Sequence, residues 1–477
     1  MPMLDLDLTL VIDIGKSHAK LLLVDDHGDV LEQHSHKNAP VGTALGYSAL
    51  DIDGLTHWIC TTLAASRLTQ RCARAVTSTH GAAFVGITED GLAWPAIDYE
   101  FDGYANQTSD LHHDYQRQRD GFVVTLSPDL PMGLNAARQL YWMQNMHPAA
   151  WARTRTLLPY PQYWAWWLCG VTASEVTSLG CHTQLWAPNQ HDFCPFAKSQ
   201  GWDKLFSPLV PAWQVLGCVR PMLADALGLP QSCEVHVGVH DSNACLARYL
   251  SSSTELTVVS SGTWTVLMAP DGLTSVLQAE RDMLCNVNVR SESTPTARFM
   301  GGREFAALLD GAPADLGQLE DVAHLLHSQT MAIPSFAPQG GPFKQLKGQV
   351  LQAGQIVELQ DLIPAARSAL ASLYCAQLTA WLVQQLRPTT TDSTVIVEGP
   401  LAHNRLYLGL LQALLPNYVC CVSLDEIEGT GRGAWMLCRW GQSTVSQHLL
   451  AAPAYRLDGL HAYHDDWLQR SLAALLL

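Results

Sequence analysis

Residues 236–250, HVGVHDSNACLARYL, place a carboxylate where a strand gives way to a helix. Val235, Val237 and Val239 alternate as strand residues do. Ala244, Leu246, Ala247 and Leu250 follow with helical spacing, so Asp241 falls at a helix N-terminus. Two readings of Asp241 are open. An Asp at that position caps a helix by accepting from its first backbone N–H groups. A carboxylate held so rigidly can also take a proton from a substrate hydroxyl. His236 and His240 lie four apart and would share one face of a strand. No third ligand is near, so a structural role is expected and zinc is not.

A second acid, Asp13, ends the apolar run LTLVIDI at 8–14 and opens the turn Asp13-Ile14-Gly15-Lys16-Ser17-His18, with Lys20 just beyond. Backbone N–H groups in a polar glycine turn can cradle phosphate oxygens, and the adjoining carboxylate can hold Mg²⁺ through water. Alone, the stretch is equally an ordinary hairpin turn. However, residues 257–269, TVVSSGTWTVLMA, repeat the pattern, with Gly262 in the place of Gly15 and Thr263 after it. Two copies half a chain apart indicate an internal duplication into related lobes, each offering one donor-rich turn to a polyphosphate. Farther on, the apolar run at 393–397 leads into EGPLAHNR, where Gly399 and Asn404 precede a helical pattern. A strand opening into a glycine turn and a helix is a common nucleotide-contact geometry. The last motif, Glu428-Gly429-Thr430-Gly431-Arg432-Gly433, reads by itself as a helix start that uses glycine for close packing.

These groups need a scaffold, and the chain supplies an alternating α/β one. Residues 8–14, 19–24 and 29–34 read as three antiparallel strands joined by tight turns. Residues 73–79 form a strand ending at His80-Gly81, and 94–106 a loop rich in aromatics and acids. Residues 135–147 are helical with a cap-like Asn135, and 361–386 form a long helix. The tryptophans at 151, 164, 166, 167 and 186 are expected in cores more than under sugars. With 477 residues, two or more domains are expected. A hydrophobic content of 48% excludes a disordered chain, and a net charge of −16 argues against nucleic acid and anionic membranes as partners. The N-terminal MPMLDLDLTL lacks a basic n-region and no apolar run reaches membrane-span length, so no signal peptide and no membrane span is expected. The 13 cysteines include no CxxC pair, which suits reduced thiols in a cytoplasmic protein.

The order of the pieces resembles the FGGY carbohydrate kinases over nearly the whole chain. DIGKSHAK is similar to that family's first phosphate motif, SSGTWT to its second, EGPLAHNR to its adenosine motif, GTGRGAWML to the helix start behind the adenine, and GVHDSNA to the segment with the catalytic Asp. The resemblance implies two duplicated ribonuclease-H-like lobes of the actin/hexokinase/Hsp70-like kind around a central cleft. It places a sugar-binding lobe at 1–245 and a nucleotide-binding lobe at 246–477. ATP and Mg²⁺ are implied, with a sugar as the other small-molecule partner, in a monomer or homodimer. Asp241 would be the general base, and under this reading capping and catalysis coexist. Asp13 would hold the metal. Gly15, Lys16, Ser17, Lys20, Gly262 and Thr263 would contact phosphates, and Gly399, Asn404 and Gly431 would line the adenosine site. His80, Gly81, Asp102 and His240 are placed with the sugar. The His-Asp pair and the Ser-Ser-Gly-Thr-Trp turn resemble the L-rhamnulose and L-fuculose kinases. A pentulose or polyol kinase and a catalytically silent sugar sensor are the alternatives. Lys16 and Pro400 depart from the family pattern, as does the loose match of residues 100–104 to the sugar loop.

Overall fold

The apolar run at 8–14 is a strand, β1 (Leu8–Ile14), buried along its whole length. In this computed structural model, which describes residues 7–106, 109–250, 255–337, 340–388, 393–423, 429–442 and 449–475, β1 is the centre of one sheet. Residues 1–6 and Glu428 lie outside the described residues. β2 (His18–Val24) pairs antiparallel with β1, and β3 (Val30–Lys37) antiparallel with β2. On the other side of β1, β4 (Cys72–Thr79) runs parallel. β5 (Val215–Cys218) closes the edge against β6 (Glu234–His236), which runs parallel to β4. The short strand β7 (Val239–His240) also pairs with β4, through Ser78 and Thr79. The sheet is covered on both faces, which is why β1 reads as an almost unbroken apolar run. Ile12 and Ile14 pack with Leu21, Leu23 and Trp164 on one face. Val11 packs with Leu22, Val76 and Trp435 on the other.

The chain divides into two compact units. The first comprises Met1–Ser252, Cys285–Ser293 and Glu426–Val445, the second Ser253–Leu284, Thr294–Asp425 and Ser446–Leu477. Segments 285–293 and 426–445, inside the expected 246–477 lobe, therefore pack with the first unit. The helix Gly429–Leu437 supplies Trp435 there. A Cβ on Gly431 would sit 2.4 Å from Leu22 Cδ1, and one on Gly433 1.8 Å from the Ala244 carbonyl oxygen. Only glycine permits so close a crossing.

The second unit repeats the wiring of the first. β8 (Leu256–Ser261) pairs antiparallel with β9 (Thr265–Met268), and β9 antiparallel with β10 (Ser293–Phe299). β11 (Ser393–Glu398) runs parallel beside β8, and β12 (Tyr418–Ser423) parallel beside β11. The order β10-β9-β8-β11-β12 thus matches β3-β2-β1-β4-β6. This is the duplicated ribonuclease-H-like arrangement. In register, Ser260 of β8 stands where Asp13 stands in β1.

The long helix Pro364–Leu386 is the spine of the second unit. Every residue from Ser368 to Val383 is buried, so the helix is covered on all faces. Burying each of its leucines contributes about 1.5–3 kcal/mol. Of the tryptophans expected in cores, Trp164 and Trp186 are buried, while Trp151, Trp166 and Trp167 are half-buried. No helix among the described residues is long and apolar enough to cross a membrane.

Candidate active site

Asp241 is the first residue of the helix Asp241–Ala247, and His240 takes the N-cap position without a side-chain cap bond. The cap expected of Asp241 is therefore not formed. Its Oδ1 instead accepts from the next residue, from Ser242 N at 2.5 Å and Ser242 Oγ at 3.2 Å. The His240 ring lies against the same oxygen, with Nε2 3.2 Å from Oδ1. That nitrogen is also 3.4 Å from Cys181 Sγ, and Nδ1 is 3.2 Å from Asn243 Nδ2. Burial lowers the His240 pKa, so the ring is neutral. The Asn243 amide donates to Nδ1, which leaves the proton on Nε2, aimed at Asp241. Both ring nitrogens are engaged inside the protein, which makes His240 a partner of Asp241 and leaves no free nitrogen for a sugar. The Asp241 side chain keeps 30% exposure.

The end of β4 comes to the same place. His80 is buried and donates from Nδ1 to the Gly81 carbonyl oxygen at 2.9 Å. Its ring packs edge-on against Tyr99 at 5.5 Å and tilted against Tyr160 at 5.3 Å. Burial lowers its pKa, while the nearby Asp241 charge opposes that shift. A Cβ on Gly81 would meet His240 Nε2 at 2.8 Å, so the missing side chain lets this loop reach the His240 ring.

A small cavity, about 90 Å³, is lined by Gly15, Lys16, Asn38, Asp51, His80 and Asp98. Lys16, expected on phosphate, is committed elsewhere. Its Nζ lies 2.5 Å from both carboxylate oxygens of Asp98, 3.3 Å from Glu100 and 5.1 Å from the centre of the Tyr99 ring. The reason is Asp98, whose side chain is only 2% exposed. A carboxylate so buried demands a counter-charge. Asp98 Oδ1 also accepts from Glu100 N at 2.9 Å. Asp102, the acid expected to meet the sugar, is exposed. Of the acids in this loop, Asp98 is the one that lines the cavity. Three acids within five residues signalled an acidic loop, but not which one turns inward.

The glycine turn is tight, with Gly15 N donating to the His18 carbonyl at 2.9 Å. Asn38, unremarked in the sequence, braces it: Nδ2 donates to the Gly15 carbonyl at 2.7 Å, and its backbone N to the Ser17 carbonyl at 2.9 Å. The Ser17 side chain is exposed. Asp13 stands opposite Lys20 on β2 and Ser78 on β4. Ser78 Oγ is buried with no hydrogen-bond partner. One hard carboxylate beside an orphaned hydroxyl and a donor-rich turn fits a Mg²⁺ that keeps most of its water. Among the described residues no group of three or more His, Cys, Asp or Glu is placed to hold a metal by itself.

In the second unit a cavity of about 1160 Å³ brings together the turn residues Gly262 and Thr263 and the segment Pro400–Leu406, with Arg303, Gln318 and Tyr455 on its walls. Gly399 makes the approach possible. Its φ is 78°, and a Cβ there would lie 2.0 Å from the Ser261 carbonyl oxygen. Ser261 Oγ ties the two loops by donating to the Glu398 carbonyl at 2.6 Å and accepting from Leu401 N at 2.9 Å. Asn404 lines the cavity with its side chain already in use. Oδ1 caps the helix Arg405–Leu414 by accepting from Tyr407 N at 2.9 Å, and Nδ2 donates to Ser372 Oγ at 3.0 Å. Gly431, expected at the adenosine site, instead lets its helix pack on Leu22 in the first unit.

Comparison with known proteins identifies the family to which this fold belongs. The sequence model of the N-terminal domain of the FGGY family of carbohydrate kinases matches residues 8–247, and that of the carbohydrate kinase FGGY C-terminal domain matches 253–447. The chain belongs to the FGGY family of carbohydrate kinases. It is similar to the L-fuculokinase of Salmonella typhi, 25% identical over 295 residues, 60% of this chain. The match spans 61% of that relative's length. A carbohydrate kinase from Novosphingobium aromaticivorans has a TM-score of 0.88 at 32% identity, over 99% of this chain and 100% of its own. The ligand-bound xylulose kinase of Lactobacillus acidophilus, with a TM-score of 0.74, 14% identity and coverage of 98% and 97%, shares the fold.

Proposed function

We propose that this protein transfers the γ-phosphate of ATP to a hydroxyl of a neutral ketose, with L-rhamnulose and L-fuculose as the leading acceptors and Asp241 as the general base. The observation that carries the reading is the Asp241 carboxylate, partly exposed and oriented by Ser242 and a neutral His240, beside the His80–Asp98 cavity. A base must be ionised, fixed and within reach of the proton it takes. The kinship with L-fuculokinases at 25% identity favours a 6-deoxyketohexose. The cavity's own acids favour an uncharged one, because Asp98 and Glu100 already absorb the charge of Lys16.

In this reading Asp241 takes the proton of the sugar hydroxyl as the hydroxyl oxygen attacks the γ-phosphorus, and the bond from that phosphorus to the bridging oxygen breaks to release ADP. His80, Gly81 and Asp98 orient the sugar. Gly15, Ser17 and Lys20 are the phosphate contacts of the first unit and Gly262 and Thr263 those of the second, and the Pro400–Asn404 segment holds the adenosine. Asp13, with Ser78 beside it, would hold Mg²⁺ through water, and the ion would neutralise charge building on the phosphates. We place the enzyme in the cytoplasm, as a monomer or homodimer.

The test is coupled ADP release with Mg-ATP across L-rhamnulose, L-fuculose, L- and D-xylulose, D-ribulose, erythritol, glycerol and gluconate. One of the first two should dominate, and Asp241→Asn should lower its kcat/KM about 10²–10⁴-fold with the fold intact. Near-normal turnover in that variant would sink the base assignment. Preference for xylulose, ribulose or erythritol would move the substrate to a pentulose or polyol. ATP binding without transfer to any sugar would favour a sensor.

A further inference from the structure

The segment that runs beneath the base holds a carboxyl with no assigned task. Glu175 is 1% exposed and precedes the short helix Val176–Leu179. Its Oε2 accepts from Thr177 N at 2.9 Å and from Thr177 Oγ1 at 2.5 Å. The threonine hydroxyl has a single proton, and that proton is spent on Glu175. Its oxygen can therefore only accept, and it accepts from His240 N at 3.1 Å. The chain of bonds ends on the peptide that leads into Asp241. The same segment touches His240 a second time, where Cys181 Sγ meets the ring. His240 is thus held by its main chain and by its ring from residues 177 and 181.

We propose that Glu175 and Thr177 are positioning residues for phosphotransfer, a buried pair that fixes the His240 peptide and so aims the Asp241 carboxylate. The proposal rests on the reading of Asp241 as the base. Glu175 Oε1 is buried without a partner, and no cation pairs with the carboxyl among the described residues. Burial pushes its pKa up to about 8. A buried carboxyl that makes no ion pair adds little stability that an apolar side chain would not. What it supplies here is direction. The Oε2 oxygen accepts the threonine proton, which turns the threonine lone pairs toward His240 N. Without that acceptor the His240 N–H is a buried orphan, and the start of the helix can shift. Displacing a reacting group by about 1 Å costs up to about 10²-fold in rate.

The test uses the full chain with its best sugar. Thr177→Val should lower kcat about 10- to 100-fold while KM for sugar and for ATP stay within about threefold, because the base moves and the binding groups do not. Thr177→Ser, which restores the acceptor, and Glu175→Gln, which keeps the accepting oxygen, should stay within about threefold of wild type. Glu175→Asp, too short to reach, should fall with Thr177→Val, and this pair of Glu175 variants decides the matter if Thr177→Val does not fold. Unchanged kcat in Thr177→Val, or equal losses in the conservative and disruptive variants, overturns the proposal. If Asp241→Asn retains turnover, the reading of the base has failed; if it loses turnover while Thr177→Val does not, only the positioning pair has.

Discussion

Replacing Glu175 with glutamine should stabilise the protein at alkaline pH and change little at acid pH. The carboxyl is buried with one oxygen bonded to Thr177 and the other unpartnered. Burial raises its pKa from 4.5 to about 8. The folded state therefore keeps a proton that the unfolded chain releases above pH 4.5. Stability from this group is fully present below that value and is lost as pH rises through 8. At 1.36 kcal/mol per unit, the whole interval is worth about 5 kcal/mol, and about 3 kcal/mol of it is gone by pH 7. A glutamine side chain accepts the same two bonds and has no proton to lose. Urea unfolding followed by tryptophan fluorescence at pH 5, 7 and 9 reads the difference directly, because other titrating groups cancel between the two proteins. At pH 5 the variant should match wild type within about 1 kcal/mol, and at pH 9 it should exceed it by several. A difference that stays flat from pH 5 to 9 would refute the claim that Glu175 is folded as the neutral acid.

Lys16→Met leaves Asp98 buried without its counter-charge and should cost about 3–5 kcal/mol of stability with a raised sugar KM; thermal unfolding and initial rates check both. Gly399→Ala forces a Cβ onto the Ser261 carbonyl in a left-handed backbone, so ATP affinity should fall at least 10-fold by isothermal titration while sugar binding survives. His464, stacked on Trp467 with Nδ1 unpartnered, is lowered by burial from 6.5 to about 4. Its neutral form is the folded one, so its stability is complete above pH 6.5 and declines by about 3 kcal/mol as pH falls to 4. His464→Phe should flatten that decline in acid unfolding.

The parts of the fold set by local pattern were legible from the sequence. The run at 8–14, the repeat at 257–269 and the helix ending at Leu386 needed only periodicity and glycine turns, and they appear with boundaries shifted by a few residues. What the pattern could not carry was the direction of individual side chains. Asn135 does precede a helix, but its amide is spent on Leu130 N, Ser127 and the carbonyls of Pro128 and His182. Asn404 lines the cavity as expected of a ligand contact, but its side chain is also a helix cap, which spacing alone does not reveal. Among Asp98, Glu100 and Asp102, burial chose Asp98, because Lys16 from a distant hairpin offered it a charge. The edge strand at Val215–Cys218 went unread because its pattern is short and half exposed. The return of segment 426–445 to the first unit depends on Gly431 and Gly433 meeting Leu22 and Ala244, a fit between residues some two to four hundred positions apart.

The repeated sheet has a consequence for how such a protein can change its diet. The strand after the hairpin exits at Thr79-His80 in one half and at Gly399-Pro400 in the other, the same rungs of the same frame. In the proposed reading, one exit takes the acceptor and the other the donor. Asp13 in the first copy corresponds to Ser260 in the second, so in the proposed reading a divalent ion would be held by the first copy alone. A substitution that reshapes the His80 exit can exchange one sugar for another without retuning the nucleotide, and a substitution at the Gly399 exit can do the reverse. Substrate range can then drift one half at a time while the phosphate chemistry stays fixed.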